Sequence, residues 1–193
     1  LLSEGEVHFD TLLLHNQSTA WALYDNSPDC KAEIMEYNNA LLSAYRTLQQ
    51  KHVLFHFGDE IILERHGRVE GNALVIGTQR YTRIVIPPHK LLLTSTEKLL
   101  EQFTAAGGIV TTADKVEDAG VCSSPMITYT KREFDGFNIL YFINNNNEAV
   151  TANFDRGSKM LDIATGETLP FYGTYKFDPY GSLVLIDDGL AFP

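Results

Sequence analysis

Three polar clusters hold the side chains of this sequence that could do chemistry. The first is His15-Asn16-Gln17-Ser18-Thr19-Ala20-Trp21, followed by Tyr24-Asp25. The second is Gly58-Asp59-Glu60, and the third is Pro87-Pro88-His89. Each follows an apolar run that reads as a β-strand. Ligands of open α/β sheets bind beyond the carboxyl ends of the strands, so a parallel sheet would gather all three on one rim. Trp21 is the only tryptophan. Its indole could stack on the apolar face of a sugar ring while Asn16, Gln17 and Ser18 bond the hydroxyls. The competing reading packs it in a core, since tryptophan is highly buried on average. Asp59 and Glu60 are adjacent acids. Paired carboxylates divide acid and base work when they face each other across a substrate, but neighbours on an extended chain point to opposite sides. Either one of them binds a sugar hydroxyl or it caps the segment that follows. The sugar-contact candidates are therefore His15, Gln17, Ser18, Trp21, Asp59, Glu60 and His89. No catalytic residue is assigned.

The other reactive residue types point to less. The six histidines are His8, His15, His52, His56, His66 and His89, and none has metal-like spacing to a cysteine. His52 and His56 share a face if their stretch is a strand. A zinc site needs roughly three or four ligands with a supporting second shell, so no metal is expected. Cys30 falls in the first turn of a helix, where the helix N-terminus can lower a thiol pKa. Cys122 falls between two domains. Neither sits on a glycine-flanked elbow, and Ser18 and Ser95 also lack the flanking glycines of a nucleophile elbow. Glu64 and His66 read as solvated. Gly107-Gly108 is not the G-x-G-x-x-G of a phosphate cradle, and no P-loop is present, so no cofactor is expected.

These residues need elements to position them. Thr11-Leu12-Leu13-Leu14-His15 reads as a buried strand. Ser27 and Pro28 suit a helix start, the serine as an acceptor and the proline at the first helical position. Ile34, Leu41 and Leu48, with Met35, Leu42 and Tyr45 beside them, form the apolar stripe of a long amphipathic helix. His52 to Phe57 reads as the second strand, Ala73 to Gly77 as a ribbon strand after the Gly71-Asn72 turn, and Arg83 to Ile86 as a core strand. Thr94 and Glu97 make a capping box for a helix that Gly107-Gly108 ends. Ile109 to Thr112 is the next strand. This alternation predicts an open α/β sheet with parallel members over residues 1–122. From residue 123 onward no helical stripe occurs. Short strands are expected over Thr128–Arg132, Phe137–Ile143, Ala149–Phe154, Met160–Ile163 and Ser182–Ile186. Their spacing predicts an antiparallel β-sandwich over residues 123–193.

Composition bounds the function. The chain has 193 residues and a formal net charge of −10, from 25 acids against 15 lysines and arginines. A nucleic-acid binder needs a basic face, so no nucleic-acid partner is expected. No run approaches the ~18 apolar residues of a membrane span, so no membrane partner is expected either. Two cysteines are too few for a disulfide scaffold and favour a reducing compartment, the cytoplasm. The chain opens on Leu1 and stops at Ala191-Phe192-Pro193. It reads as a piece of something longer, with any targeting signal outside it.

Several stretches carry a family likeness. Leu12-Leu13-Leu14-His15 through Ser18-Thr19-Ala20-Trp21-Ala22-Leu23-Tyr24 comes first. Gly58-Asp59-Glu60 follows, then His66-Gly67-Arg68-Val69-Glu70-Gly71, Tyr81 and Ile84-Val85-Ile86-Pro87-Pro88. This order resembles the non-catalytic region after the barrel of large bacterial glycoside hydrolases of the α-L-rhamnosidase-like kind. A comparable module in family 42 β-galactosidases is called the trimerisation domain, and it is similar to class I amidotransferases without their triad. Phe142-Ile143-Asn144-Asn145, Leu161-Asp162, Thr165-Gly166-Glu167 and Pro179-Tyr180-Gly181-Ser182-Leu183-Val184-Leu185 resemble the β-sandwich that follows it.

The resemblance implies a flavodoxin-like, amidotransferase-like α/β domain followed by a small β-sandwich. It implies an upstream catalytic barrel as partner, with carbohydrate and a second copy of the chain as further candidates. Catalytic acids of such hydrolases are expected on a (β/α)₈ barrel of ~250 residues, which this chain is too short to contain. Two other readings stay open. One is a stand-alone carbohydrate-binding module; the other is a flavodoxin-like or amidotransferase-like enzyme.

Overall fold

The computed structural model describes residues 2–25, 27 and 29–189. It is a mixed α/β structure with one parallel sheet and several antiparallel ones. Of the described residues, 9–48 and 54–117 form one compact unit. Residues 2–8, 49–53 and 118–189 form the other.

The first unit is built on a four-stranded parallel sheet. Its strands are β1 (Thr11–His15), β2 (Phe55–Asp59), β6 (Arg83–Val85) and β7 (Ile109–Thr111), in the order β2-β1-β6-β7. Thr11 aligns with Phe55 on one side and Arg83 on the other. β1 is a central strand of an all-parallel sheet, the kind that is covered on both faces, which is why it is a continuous leucine run. Leu12, Leu13 and Leu14 are all buried. The helices are α1 (Gln17–Leu23), α2 (Cys30–Gln50), α3 (Glu60–His66) and α4 (Thr94–Ala105). A small antiparallel ribbon, β3 (Arg68–Glu70), β4 (Ala73–Ile76) and β5 (Gln79–Tyr81), lies between α3 and β6 in sequence. One core gathers Leu12, Leu14, Leu63, Leu74, Ile84 and Phe103.

Four sequence expectations need correction. The second strand begins at Phe55, not His52. His52 instead takes the left-handed conformation (φ 52°) and donates its N–H to Gln49 O at 3.0 Å, closing the turn after α2. It belongs to the other unit, so it shares no sheet face with His56. The buried face of α2 is carried by Cys30, Tyr37, Ala44 and Leu48, while Met35 and Leu42 are exposed. Thr94 and Glu97 form no capping box. Thr94 is already helical, and the N-cap residue, Leu93, makes no side-chain cap bond of its own. The N–H of Leu93, the residue before it, finds a distant acceptor described below. Finally, α1 and α3 stand where the sequence reads as loop. Seven residues are too few to display a helical stripe. Of the expected start of α2, Ser27 Oγ does accept the Cys30 N–H at 3.2 Å, and Pro28 lies outside the described residues.

Gly108 shows how tightly the first core is closed. It follows α4, is buried, and donates its N–H to Phe103 O at 2.9 Å. A Cβ there would overlap the Phe103 ring. Gly108→Ala is therefore expected to destabilise the protein by ~1–3 kcal/mol, the range for overpacking. Adding Phe103→Leu should recover part of that loss. Urea unfolding of the single and double variants checks this, and strictly additive losses would refute the steric account.

The second unit is antiparallel. A five-stranded sheet has the order β12-β11-β14-β9-β8. Its members are β8 (Ile127–Phe134), β9 (Phe137–Asn144), β11 (Lys159–Leu161), β12 (Thr168–Pro170) and β14 (Ser182–Asp187). A two-stranded sheet pairs β10 (Val150–Asn153) with β13 (Thr174–Phe177). Phe142, Phe154, Phe171 and Phe177 join Ile127, Leu140 and Leu185 in its core. The N-terminal stretch belongs here because Glu6 and Glu133 exchange two backbone hydrogen bonds of 2.9 Å. Residues 49–53 belong here because His52 Nε2 lies 3.0 Å from Ile127 O and 3.2 Å from Ser124 O.

Candidate functional site

The parallel sheet brings the three polar clusters to the carboxyl ends of β1, β2 and β6, as the pairing of His15 with Asp59 shows. Most of their side chains are engaged with one another. Asp59 ends β2 and is the N-cap of α3. Its Oδ1 accepts the N–H groups of Ile61 at 2.8 Å and Ile62 at 3.1 Å, and Oδ2 accepts the Gln17 side-chain amide. A carboxylate at this position meets two orphan donors and the positive end of the helix dipole.

Glu60 has no exposed surface, yet each oxygen has a partner. Oε2 accepts from Ser18 N at 3.0 Å and Ser18 Oγ at 2.5 Å, and Oε1 accepts the Leu93 N–H at 2.9 Å. That last bond supplies what a capping box would have supplied at the start of α4. One buried carboxyl thus ties the starts of α1, α3 and α4 together.

Thr19 does similar work beside it. Its hydroxyl donates to Leu91 O at 2.8 Å and accepts the Lys90 N–H at 3.2 Å. Asn16 is buried and receives the Tyr37 hydroxyl on its own carbonyl at 3.0 Å. Burial, followed by the nearby Glu60 carboxylate, pushes the Tyr37 phenol up to about 12. It therefore remains a donor across the neutral range. The segment after β6 is held to the sheet end by these side chains.

Beside this anchored segment lies a groove of about 560 Å³, lined by Thr19, Leu23, Glu33, Glu36, Tyr37, Ala40, Pro88, His89 and Lys90. On the other side of Pro88 and His89 a second hollow of about 450 Å³ runs along Val110 to Thr112 and Lys115. Of the seven sequence candidates, His89 alone lines the groove. Its Nδ1 lies 3.2 Å from Pro87 O and donates to that carbonyl. Ser18 and Glu60 are buried and bonded to each other. Gln17 and Asp59 are bonded to each other, and His15 is half-buried at the end of β1. Trp21 is 56% exposed. It stands two residues from both Thr19 and Leu23, on the opposite face of α1 from those groove residues.

Sequence reading missed Glu33, Glu36, Tyr37 and Lys90. A signal was available: positions 33, 36, 37 and 40 follow the i, i+3, i+4, i+7 spacing of one helix face. The apolar 34/41/48 stripe drew attention away from it.

Nucleophile chemistry finds little support in the thiols. Both cysteines are buried. Burial pushes the Cys122 thiol up, and Cys30 Sγ accepts the Asp25 N–H at 3.3 Å. Among the described residues no group of three or more His, Cys, Asp or Glu side chains is arranged to hold a metal ion. Among them too, no helix is long and apolar enough to cross a membrane.

No family model and no curated protein matches the chain. Its fold does match solved structures. It is similar to a rhamnosidase from Novosphingobium sp. PP1Y, with 14% identity and a TM-score of 0.60, over 98% of this chain and 23% of that one. It is also similar to a catalytic mutant of Gan42B, a GH42 β-galactosidase from G. stearothermophilus, with 12% identity and a TM-score of 0.62, over 94% and 40%. A GH42 exo-carrageenase from Bacteroides ovatus matches with 12% identity and a TM-score of 0.53, over 92% and 28%. All three are glycoside hydrolases, and the chain spans well under half the length of each.

Proposed function

We propose that this chain is a non-catalytic accessory portion of a glycoside hydrolase, docked on a catalytic barrel elsewhere in the parent polypeptide. One observation carries the reading. The fold likeness takes in nearly all of this chain but only 23% to 40% of the three hydrolases named above.

The site chemistry agrees. The adjacent acids Asp59 and Glu60 are engaged in holding helix starts, one as a cap and one as a buried tie. They do not flank an open space in which a glycosidic bond could sit. The order of the parallel strands (second, first, third, fourth) supports a flavodoxin-like, amidotransferase-like α/β domain. The five-stranded and two-stranded antiparallel sheets support a β-sandwich for the other part. The exposed Trp21 and the rim histidines His15 and His89 are the original candidates best placed to meet a saccharide, with Gln17 and Asp59 behind them.

The purified chain is expected to show no turnover of p-nitrophenyl α-L-rhamnopyranoside or p-nitrophenyl β-D-galactopyranoside above the buffer rate. Its open reading frame is expected to encode a barrel-length segment before Leu1. Hydrolysis by the chain alone, abolished by changing one of its own side chains, would overturn the reading.

A further inference from the structure

The groove beside the segment after β6 is not explained by an anchoring role. Sheet order β2-β1-β6-β7 means that the chain leaves β1 toward one edge and later returns to its other side at β6. The carboxyl ends of β1 and β6 therefore flank the point where strand order reverses, the place where open α/β sheets hold ligands. The groove opens there. Thr19 and Leu23 come from the segment after β1, and Pro88, His89 and Lys90 from the segment after β6. Its volume of about 560 Å³ falls inside the roughly 300–1,000 Å³ of small-molecule sites.

The geometry points to a saccharide-binding subsite in this groove, in which Glu33 and Glu36 accept sugar hydroxyls, Lys90 donates to them, and Leu23 and Pro88 face the C–H side of the ring. This rests on the reading that the parent acts on glycosides. It goes beyond that reading by naming a place and residues that the rim candidates, His89 excepted, do not include.

The lining chooses among ligand classes. Two carboxylates against one ammonium disfavour an anion. The Glu36 side chain has no hydrogen bond or ion pair among the described residues. The Lys90–Glu33 pair is loose, at 3.7 Å with both side chains more than half exposed, so each partner can turn to a ligand at little cost. With Nδ1 engaged by Pro87 O, Nε2 is the ring nitrogen of His89 left for a ligand. Donors and acceptors above a small apolar floor match an uncharged polyol better than an anionic ligand. The wall is also fixed in advance, because Thr19 holds the Lys90 and Leu91 N–H groups. A preset wall lowers the ordering cost of binding.

The test is an NMR titration of the whole ¹⁵N-labelled chain with L-rhamnose and with D-galactose at millimolar concentration. Saturable shifts are expected at Glu36, Tyr37, His89 and Lys90 with at least one of the sugars. Glu36→Ala and Lys90→Ala should each weaken binding about tenfold, the loss of one charged hydrogen bond. The exposed Glu64→Ala should bind as the parent chain does, and circular dichroism confirms that all three variants are folded. Absence of saturable shifts with both sugars, or affinity that survives both groove variants, would overturn the subsite. Those failures leave the accessory reading standing if the chain also lacks glycosidase turnover. Turnover by the chain itself would instead remove the accessory reading, and the subsite's premise with it.

Discussion

Glu60→Ala is expected to lower the stability of the protein by about 3–5 kcal/mol, the largest effect of any single change at the sheet rim. Two donors lose their acceptor together, the Ser18 N–H and the Leu93 N–H, and the Ser18 hydroxyl is left with only its 3.3 Å contact to Leu91 O. Each buried donor left without a partner costs ~1–3 kcal/mol. Glu60→Gln should recover part of the loss, because its amide oxygen can still accept from both Ser18 donors while its amide nitrogen leaves the Leu93 N–H without an acceptor. Ser18→Ala, which removes only one of the three bonds to Glu60, should cost ~1 kcal/mol. Urea unfolding followed by far-UV circular dichroism measures all three. Limited proteolysis of the segment after β6 adds a local readout, since that segment loses its tie at Leu93. An unfolding midpoint for Glu60→Ala within error of the parent would mean that the buried carboxyl holds nothing together.

The second large effect lies in the antiparallel unit. Phe142 has no exposed surface. Its ring stacks on Tyr129 at 5.3 Å and 15°, and meets Phe154 edge-on at 4.8 Å and 74°. Phe142→Ala removes the burial, leaves a cavity and breaks both ring contacts, so a loss of ~3–5 kcal/mol is expected. Phe142→Leu keeps most of the volume and loses chiefly the ring geometry. It should therefore cost less than half as much. Thermal unfolding read by near-ultraviolet circular dichroism separates the two, and equal losses would show that the ring geometry, not the cavity, sets the cost.

How much was legible depended on the range of the interactions. The leucine run of β1 announced itself because a central strand of a parallel sheet is covered on both faces and so is apolar on both. The β8 to β14 stretch was readable as short strands from their apolar residues and the turns between them, except β12, which is exposed throughout, and β13, which buries only its last residue. Asp59 was readable as a cap, and it is one. The cap of α4 was misread because Thr94 and Glu97 satisfy a local rule, while the acceptor actually used comes from Glu60, 33 residues earlier. No local pattern encodes such a bond.

From its residues alone, this chain had to be a mixed α/β protein with strands followed by polar clusters. Apolar periodicity and turn residues act over a few positions and are written in order along the chain. Which of those polar groups would be engaged, and which would face a ligand, was decided only when β1, β2 and β6 lay side by side. Their alignment set Glu60 against Ser18 and Leu93 and removed it from solvent. It also opened a groove lined by Glu36 and Lys90. Burial and partnership depend on which distant segments meet, and those meetings are fixed by the packing of the whole sheet.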